Sequence, residues 1–377
     1  MSDIIYFDNS ATTIPCEAAL NAANKAVSVF GNPSSTHFCG LEAKRLLESS
    51  REELAGIIGA RENEVFFTAS GSESNNTAIS GAAKLKARHS KTIVTTDSEH
   101  PSVSEPVIAL EKEGYKIIRL STKGGMIDES ELKEALSEKV ALVSVMHVNN
   151  ETGAVYDLKM IRSAIESSKC GALFHSDDVQ GFMKTGIPAT RFADIVTASA
   201  HKINGIRGAG LLYVRNGIKL PPYILGGGQE KGMRSGTENT AAIAAFAAAA
   251  SDWKNDKTRI ERISSLRAYI KETLFNSFGG AISFNEPASP VCSLLSISLV
   301  PLKSEVALNA LSAERICVSA SSACSSKKKH NSVLSSFGLP DKEAESTLRI
   351  GISYMNTKEE AEALVHTLKN VYDKCVK

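Results

Sequence analysis

The 377-residue chain lacks the features that mark several protein classes. Its seven cysteines are odd in number and none falls in a Cys-x-x-Cys pair. That argues against a disulfide framework and a zinc ribbon, and fits a reducing compartment. Neither sign of charge is in excess: 43 Lys+Arg against 42 Asp+Glu leave +1, which argues against a strongly basic nucleic-acid binder or a disordered acidic tail. No run of 18 apolar residues is present, so no membrane span is expected. The start, MSDIIYFDNSATT, has neither a basic stretch before an apolar one nor an Arg- and Ser-rich presequence, so a soluble cytoplasmic protein is expected. Repeats, low-complexity segments and obvious linkers are also missing.

What is present is a chain that is 42% hydrophobic, enough for a substantial core in one large domain or two smaller ones. Strands are predicted at Val65–Thr68, Thr92–Thr96, Lys116–Leu120, Val140–Val145, Ala172–Ser176, Ile195–Ala198 and Leu211–Val214. Helical periodicity falls between many of them, at Leu41–Ile58, Thr77–Ala87, Pro101–Glu113 and Leu158–Ser168. Alternation of this kind predicts βα units and a mostly parallel sheet covered on both faces. The pattern changes after about Leu225. A glycine-rich stretch, an alanine-rich helix at Thr240–Ala250, a charged helix at Arg259–Asn276 and short strands at Ile282–Phe284 and Ser293–Leu299 follow. The reading is a large α/β domain over residues 14–253 and a smaller α+β domain over 254–377, joined by residues 1–13.

Ligands of an open parallel sheet gather at the carboxyl ends of its strands, and several polar clusters fall there. Small residues around Ser70-Gly71-Ser72 cross from strand to helix, where free N–H groups can hold a phosphate; the same residues suit an ordinary helix cap. Glu99-His100-Pro101 follows the next strand. His147-Val148-Asn149-Asn150-Glu151 follows another, as a polar site or a simple turn. In His175-Ser176-Asp177-Asp178-Val179-Gln180, period two puts Asp177 and Val179 on one face and Asp178 on the other. A buried carboxylate there needs a cation or a metal, although the ligand spacing is not diagnostic of a metal. Lys202, in Ser199-Ala200-His201-Lys202, emerges from a buried strand; desolvation makes such a lysine a nucleophilic amine. Glycines between Gly226 and Gly236 permit close approach of a ligand or a second subunit, or a flexible surface loop. Finally, Cys324 lies among small polar residues before Lys327-Lys328-Lys329, a setting that favours its thiolate, or an inert cysteine beside a solvated run of charge.

Together, phosphate cradle, amine, acid, histidine and thiol describe a pyridoxal phosphate pocket with a cysteine nucleophile. The sequence resembles the cysteine desulfurases over nearly its whole length, from Phe7-Asp8-Asn9-Ser10-Ala11-Thr12-Thr13 through Gly31-Asn32-Pro33-Ser34-Ser35, Glu99-His100, Val148-Asn149-Asn150-Glu151, Ser199 to Lys202 and Arg234-Ser235-Gly236-Thr237 to Arg349. The Ser-Ser-Ala-Cys-Ser-Ser loop is similar to the iron–sulfur cluster assembly branch.

The resemblance implies the aminotransferase-like fold (fold type I) and pyridoxal 5'-phosphate as cofactor. Lys202 is then its covalent anchor, Asp177 the partner of its ring nitrogen, and His100 and Val179 the residues on its two faces. Gln180 and Asn150 lie near its phenolic oxygen and the substrate. Gly71, Ser72, Ser199 and His201 hold the phosphate, and Thr237 reaches the phosphate of the neighbouring subunit in a homodimer. Arg349, Asn32 and Asn150 bind substrate. L-cysteine becomes L-alanine, with sulfur held as a persulfide on Cys324 for an acceptor such as an iron–sulfur scaffold; no nucleic acid, membrane or metal is implied. The same fold acting on selenocysteine or cysteine sulfinate, and a non-catalytic scaffold, are the alternatives. Four departures from the family pattern stand out: Asp178 for alanine, Ile206-Arg207 for Pro-Lys, Ser321 for glycine and Gly351 for serine.

Overall fold

The computed structural model describes residues 4–320 and 333–376. Its strands are β1 (Ile5–Tyr6), β2 (Val65–Thr68), β3 (Thr92–Thr96), β4 (Lys116–Leu120), β5 (Leu142–Ser144), β6 (Leu173–Asp177), β7 (Ile195–Ser199), β8 (Gly210–Val214), β9 (Ile282–Phe284), β10 (Leu294–Leu299), β11 (Ile316–Cys317), β12 (Ser319–Ala320) and β13 (Thr347–Gly351). A seven-stranded sheet has the order β2-β8-β7-β6-β5-β3-β4. Within it only β8 runs antiparallel to its neighbours. The expected mostly parallel α/β sheet is therefore what forms. A four-stranded antiparallel sheet, β12-β13-β10-β9, carries the later strands, and β1 pairs with β11.

Both faces of the large sheet are apolar, so its strands read as near-continuous hydrophobic runs. Phe67, Val94, Val143, Phe174, Val196 and Leu211 point into the larger core. Their chain neighbours Phe66, Ile93, Leu142, Leu173, Ile195 and Leu212 point into a second core on the opposite face. Helices α1 (Glu17–Ser28), α2 (Phe38–Ile58), α3 (Gly71–Lys86) and α4 (Pro101–Lys112) flank the sheet. Helix α3 begins well before the expected Thr77. The Ser70 side chain caps it by accepting from Glu73 N, and Glu73 in turn accepts from Ala69 N at 3.0 Å. The alanine-rich helix likewise runs on from the expected end to Asn255, and the charged one to Phe278. Among the described residues, no helix is long and apolar enough to cross a membrane.

Two constraints fix the segments that reach the polar edge of the sheet. Arg51, on α2, is buried and grips Glu230 of the glycine-rich stretch through both its terminal nitrogens, at 2.8 and 2.9 Å. Glu230 also accepts from Phe67 N, at 2.7 Å, tying that stretch to β2. At the other end, Gly351 closes on the N-terminal segment: a Cβ there would lie 2.5 Å from Ser10 N and 2.8 Å from Asn9 N. This is the physical reason for glycine at a position where the resemblance leads one to expect serine.

Removing one partner of a buried pair strands the other's charge. Glu230→Gln is expected to cost about 3–5 kcal/mol in chemical denaturation; a loss within about 0.5 kcal/mol, the range of surface substitutions, would contradict this account. Gly351→Ser is expected to cost about 1–3 kcal/mol through overpacking, read as a lower melting temperature; an unchanged one would show that the N-terminal segment yields freely.

Candidate active site

The carboxyl ends of β2, β3, β5, β6 and β7 open onto one cavity of about 430 Å³. Of the residues assigned from the sequence, Gly71, Ser72, His100, Asn150, Asp177, Val179, Gln180, Ser199, His201, Lys202 and Arg349 all line it. Asn32 and Thr237 do not: both are exposed, and Asn32 accepts a hydrogen bond from Ser34 N at 2.9 Å in its own loop. Cys324 and Ser321 lie outside the described residues.

Lys202 sits in the turn after β7. Its Nζ donates to the carbonyls of Ser10 and Ala11 at 2.6 and 2.8 Å, and Gln180 Nε2 donates to the same Ser10 carbonyl at 2.7 Å. Desolvation first, then the charges of Lys184 and Arg349, lower its pKa to about 7. The amine is thus a usable nucleophile near neutral pH. Lys184 is itself buried, which lowers its pKa to about 8.

Asp177 ends β6. Its Oδ1 accepts from Val179 N at 2.9 Å and its Oδ2 from Asn75 Nδ2 at 2.7 Å. The period-two reading of Asp177-Asp178-Val179 needs correction, because the strand stops at Asp177 and the chain turns there. Val179 still faces the cavity, placed by that turn and its hydrogen bond rather than by strand alternation. Asp178 points elsewhere and pairs with His147 Nδ1 at 2.7 Å. Burial raises the Asp178 pKa, against the lowering effect of His147. His175 is fully buried; desolvation lowers its pKa to about 3, and Nδ1 meets Ser144 Oγ at 2.8 Å. Among the described residues, no group of three His, Cys, Asp or Glu side chains could hold a metal ion.

His100 caps α4, with Pro101 in the first turn. The preceding Glu99 is buried and accepts from Thr96 Oγ1 and Met146 N. Burial drives its pKa up to about 8, so the carboxyl is largely protonated at neutral pH. Arg349, on β13, donates to Asn150 O at 3.0 Å and Glu151 Oε1 at 3.2 Å, and lies 3.6 Å from Asp8 Oδ1. Among the described residues, Arg349 Nε and Asn150 Oδ1 are buried without a hydrogen-bond partner, polar capacity that a bound molecule can satisfy.

The sequence reading overlooked Ser10 and Ala11 as partners of the lysine, and Asn75 and Ser102 beside Asp177 and His100. Asn75 had a signal: it falls one helical turn after Gly71 and so shares its face. The two carbonyls had none, since backbone acceptors carry no residue signature.

These features agree with what the chain resembles as a whole. The family model described as aminotransferase class-V matches residues 5–364. A "NifS/IcsS protein homolog" of Lactobacillus delbrueckii is 39% identical, over 98% of this chain and 97% of that protein. "Cysteine desulfurase IscS" of Dictyoglomus turgidum is 34% identical, over 98% and 95%. A solved NifS-like protein from Rickettsia africae superposes with a TM-score of 0.87 at 30% identity, covering 98% of this chain and 99% of that one. The chain therefore belongs to the class-V aminotransferase family of pyridoxal phosphate enzymes, and within it to the cysteine desulfurases.

Proposed function

We propose that the chain takes sulfur from L-cysteine, releases L-alanine and holds the sulfur on Cys324 as a persulfide for transfer to an acceptor. The observation that carries this reading is the Lys202 amine, held at the strand ends in one cavity with Asp177, His100 and Arg349. A solved relative titled "SspA in complex with cysteine", 29% identical with a TM-score of 0.81, supports cysteine as the substrate.

The residues fit pyridoxal phosphate. The Gly71 and Ser72 N–H groups open the first turn of α3, where backbone donors have no intrahelical acceptor. A Cβ on Gly71 would come within 2.8 Å of Val179 Cγ2 and fill this cradle. When bound, the cofactor supplies a conjugated ring that draws electrons from the substrate α-carbon. Asp177 would hold the ring nitrogen and favour its protonated form, and Val179 and His100 would lie against the ring. Ser199 and His201 join the phosphate cradle, and Gln180 and Asn150 border the ring's phenolic oxygen. Arg349 turns its planar fork on the substrate carboxylate. The neutral Lys202 amine would hold the cofactor at rest and, once released, is the base that would take and return the substrate's proton. The Cys324 thiolate takes the substrate sulfur: a sulfur–sulfur bond forms as the carbon–sulfur bond breaks, and the electron pair left on carbon ends in a C–H bond of alanine.

A homodimer suits the positions of Asn32 and Thr237 outside the cavity of their own chain. Phe30 and Phe38 are 83% and 80% exposed near Asn32, and Leu225, beside the glycine-rich stretch, is 80% exposed; such side chains gain from being covered by a second copy. The acceptor would be a carrier of the kind used in iron–sulfur cluster assembly or thiolation.

Wild-type protein loaded with pyridoxal phosphate is expected to release alanine from L-cysteine, with Cys324→Ala reduced to background; undiminished turnover by Cys324→Ala would overturn the persulfide route. Lys202→Ala is expected to lose the visible absorbance of the covalently held cofactor. Because the neutral amine is the reactive form, cofactor uptake by the apo protein should quicken as pH rises through about 7. Lys184→Met removes a neighbouring positive charge and should move that midpoint to higher pH; an unmoved midpoint would remove Lys184 from this account.

A further inference from the structure

We propose that Asn75 and Ser102 are positioning residues that hold His100 as a neutral imidazole with its proton on Nε2. The hydrogen bonds leave little freedom in the matter. Asn75 Oδ1 accepts from Thr197 Oγ1 at 2.6 Å, and its Nδ2 donates to the Asp177 carboxylate at 2.7 Å. A carboxylate only accepts, so the Asn75 amide cannot be turned over. The same Nδ2 donates to Ser102 Oγ at 2.9 Å. That takes one of the two acceptor positions on the Ser102 oxygen and leaves its hydroxyl hydrogen free to reach His100 Nδ1, 2.7 Å away. Ser102 N–H points to the same Nδ1 at 3.1 Å, as the cap of α4.

A backbone N–H can only donate, so Nδ1 keeps its lone pair, the Ser102 hydroxyl donates to it as well, and the proton of the neutral ring resides on Nε2. Protonating Nδ1 would cost the bond from Ser102 N–H and force the Ser102 hydroxyl to turn from donor to acceptor. Polarity thus runs from the Asp177 carboxylate through the Asn75 amide and the Ser102 hydroxyl to His100. The charged groups facing His100 are Asp177 on β6, which favours the imidazolium, and Lys202 and Arg349, which oppose it; with desolvation as the largest effect, its pKa is lowered. His100 therefore presents an N–H donor to the cavity, and the Asp177 carboxylate, through Asn75 and Ser102, also sets which proton the histidine can give.

The test is nitrogen NMR of the full-length protein carrying ¹⁵N-labelled histidine, with and without pyridoxal phosphate, and with His100→Gln to assign the signals. The inference bears on the desulfurase reading, yet the apo spectrum does not depend on turnover, so the two can fail separately. The expected spectrum has an acceptor-type Nδ1 and a protonated Nε2 across neutral pH. Ser102→Ala keeps the backbone cap but loses the hydroxyl; it should raise the His100 titration midpoint by about one pH unit, the size of one hydrogen bond, and Ser102→Thr should restore it. A protonated Nδ1 in the wild type, or a midpoint and tautomer unchanged in a folded Ser102→Ala, would overturn the inference. If Ser102→Ala does not fold, the wild-type spectrum alone decides.

Discussion

The site depends on the bond between the Lys202 amine and the carbonyls of Ser10 and Ala11. Those carbonyls belong to a segment with no regular structure of its own, so other contacts must hold it. Asp8 bridges to Gly351, and Gly351 N donates to Phe7 O at 2.6 Å. On the other side Thr13 N donates to His201 O at 2.8 Å, and Asn204 N donates to Thr13 Oγ1 at 2.7 Å. The N-terminal segment is thus stitched both to the end of β13, which bears Arg349, and to the turn that bears Lys202. One strip of backbone sets the spacing between the amine and the guanidinium, and glycine at position 351 lets that strip lie close enough.

Electrostatics follow from this crowding. Lys202, Lys184 and Arg349 are brought together in a poorly solvated region, and each makes it harder for Lys202 to stay charged. The Ser10 and Ala11 carbonyls offset part of that cost without supplying charge, so they orient the amine while leaving it able to lose its proton. Glu99 contrasts with Asp177 at the neighbouring strand end. Burial without a cation keeps Glu99 largely protonated, bridging Thr96 and Met146, whereas Asp177 receives two donors, Val179 N and Asn75 Nδ2. The chain's near-zero net charge conceals these local arrangements.

Much of this was legible in the sequence because the chemistry sits on residues with strong positional signals. Lys202, Asp177, His100 and the Ser70-Gly71-Ser72 cradle each follow an apolar run, and the strand-helix alternation places their ends along one edge of the sheet. Other features left weaker traces. Helix α3 starts early because Ser70 and Glu73 cap it, a local exchange that periodicity does not report. Ser102 carries no signal in the sequence, because its role depends on Asn75 from another helix meeting it. Thr237 and Asn32 were assigned by resemblance alone, and within a single chain nothing brings them to the cavity.

Asp178 shows how a departure from the family pattern can be accommodated. A second carboxylate directly after Asp177 would compete for the same donors and repel it if both faced the cavity. The chain avoids this by ending β6 at Asp177, after which the backbone turns. Asp178 then meets His147 from the segment after β5, in a buried pair. Gly181 is part of the solution: a Cβ there would lie 2.3 Å from Asp178 Oδ1 and 2.9 Å from His147 Nδ1. The substitution is tolerable because this position already faces a histidine and a glycine. Its carboxyl meets that partner rather than the cavity.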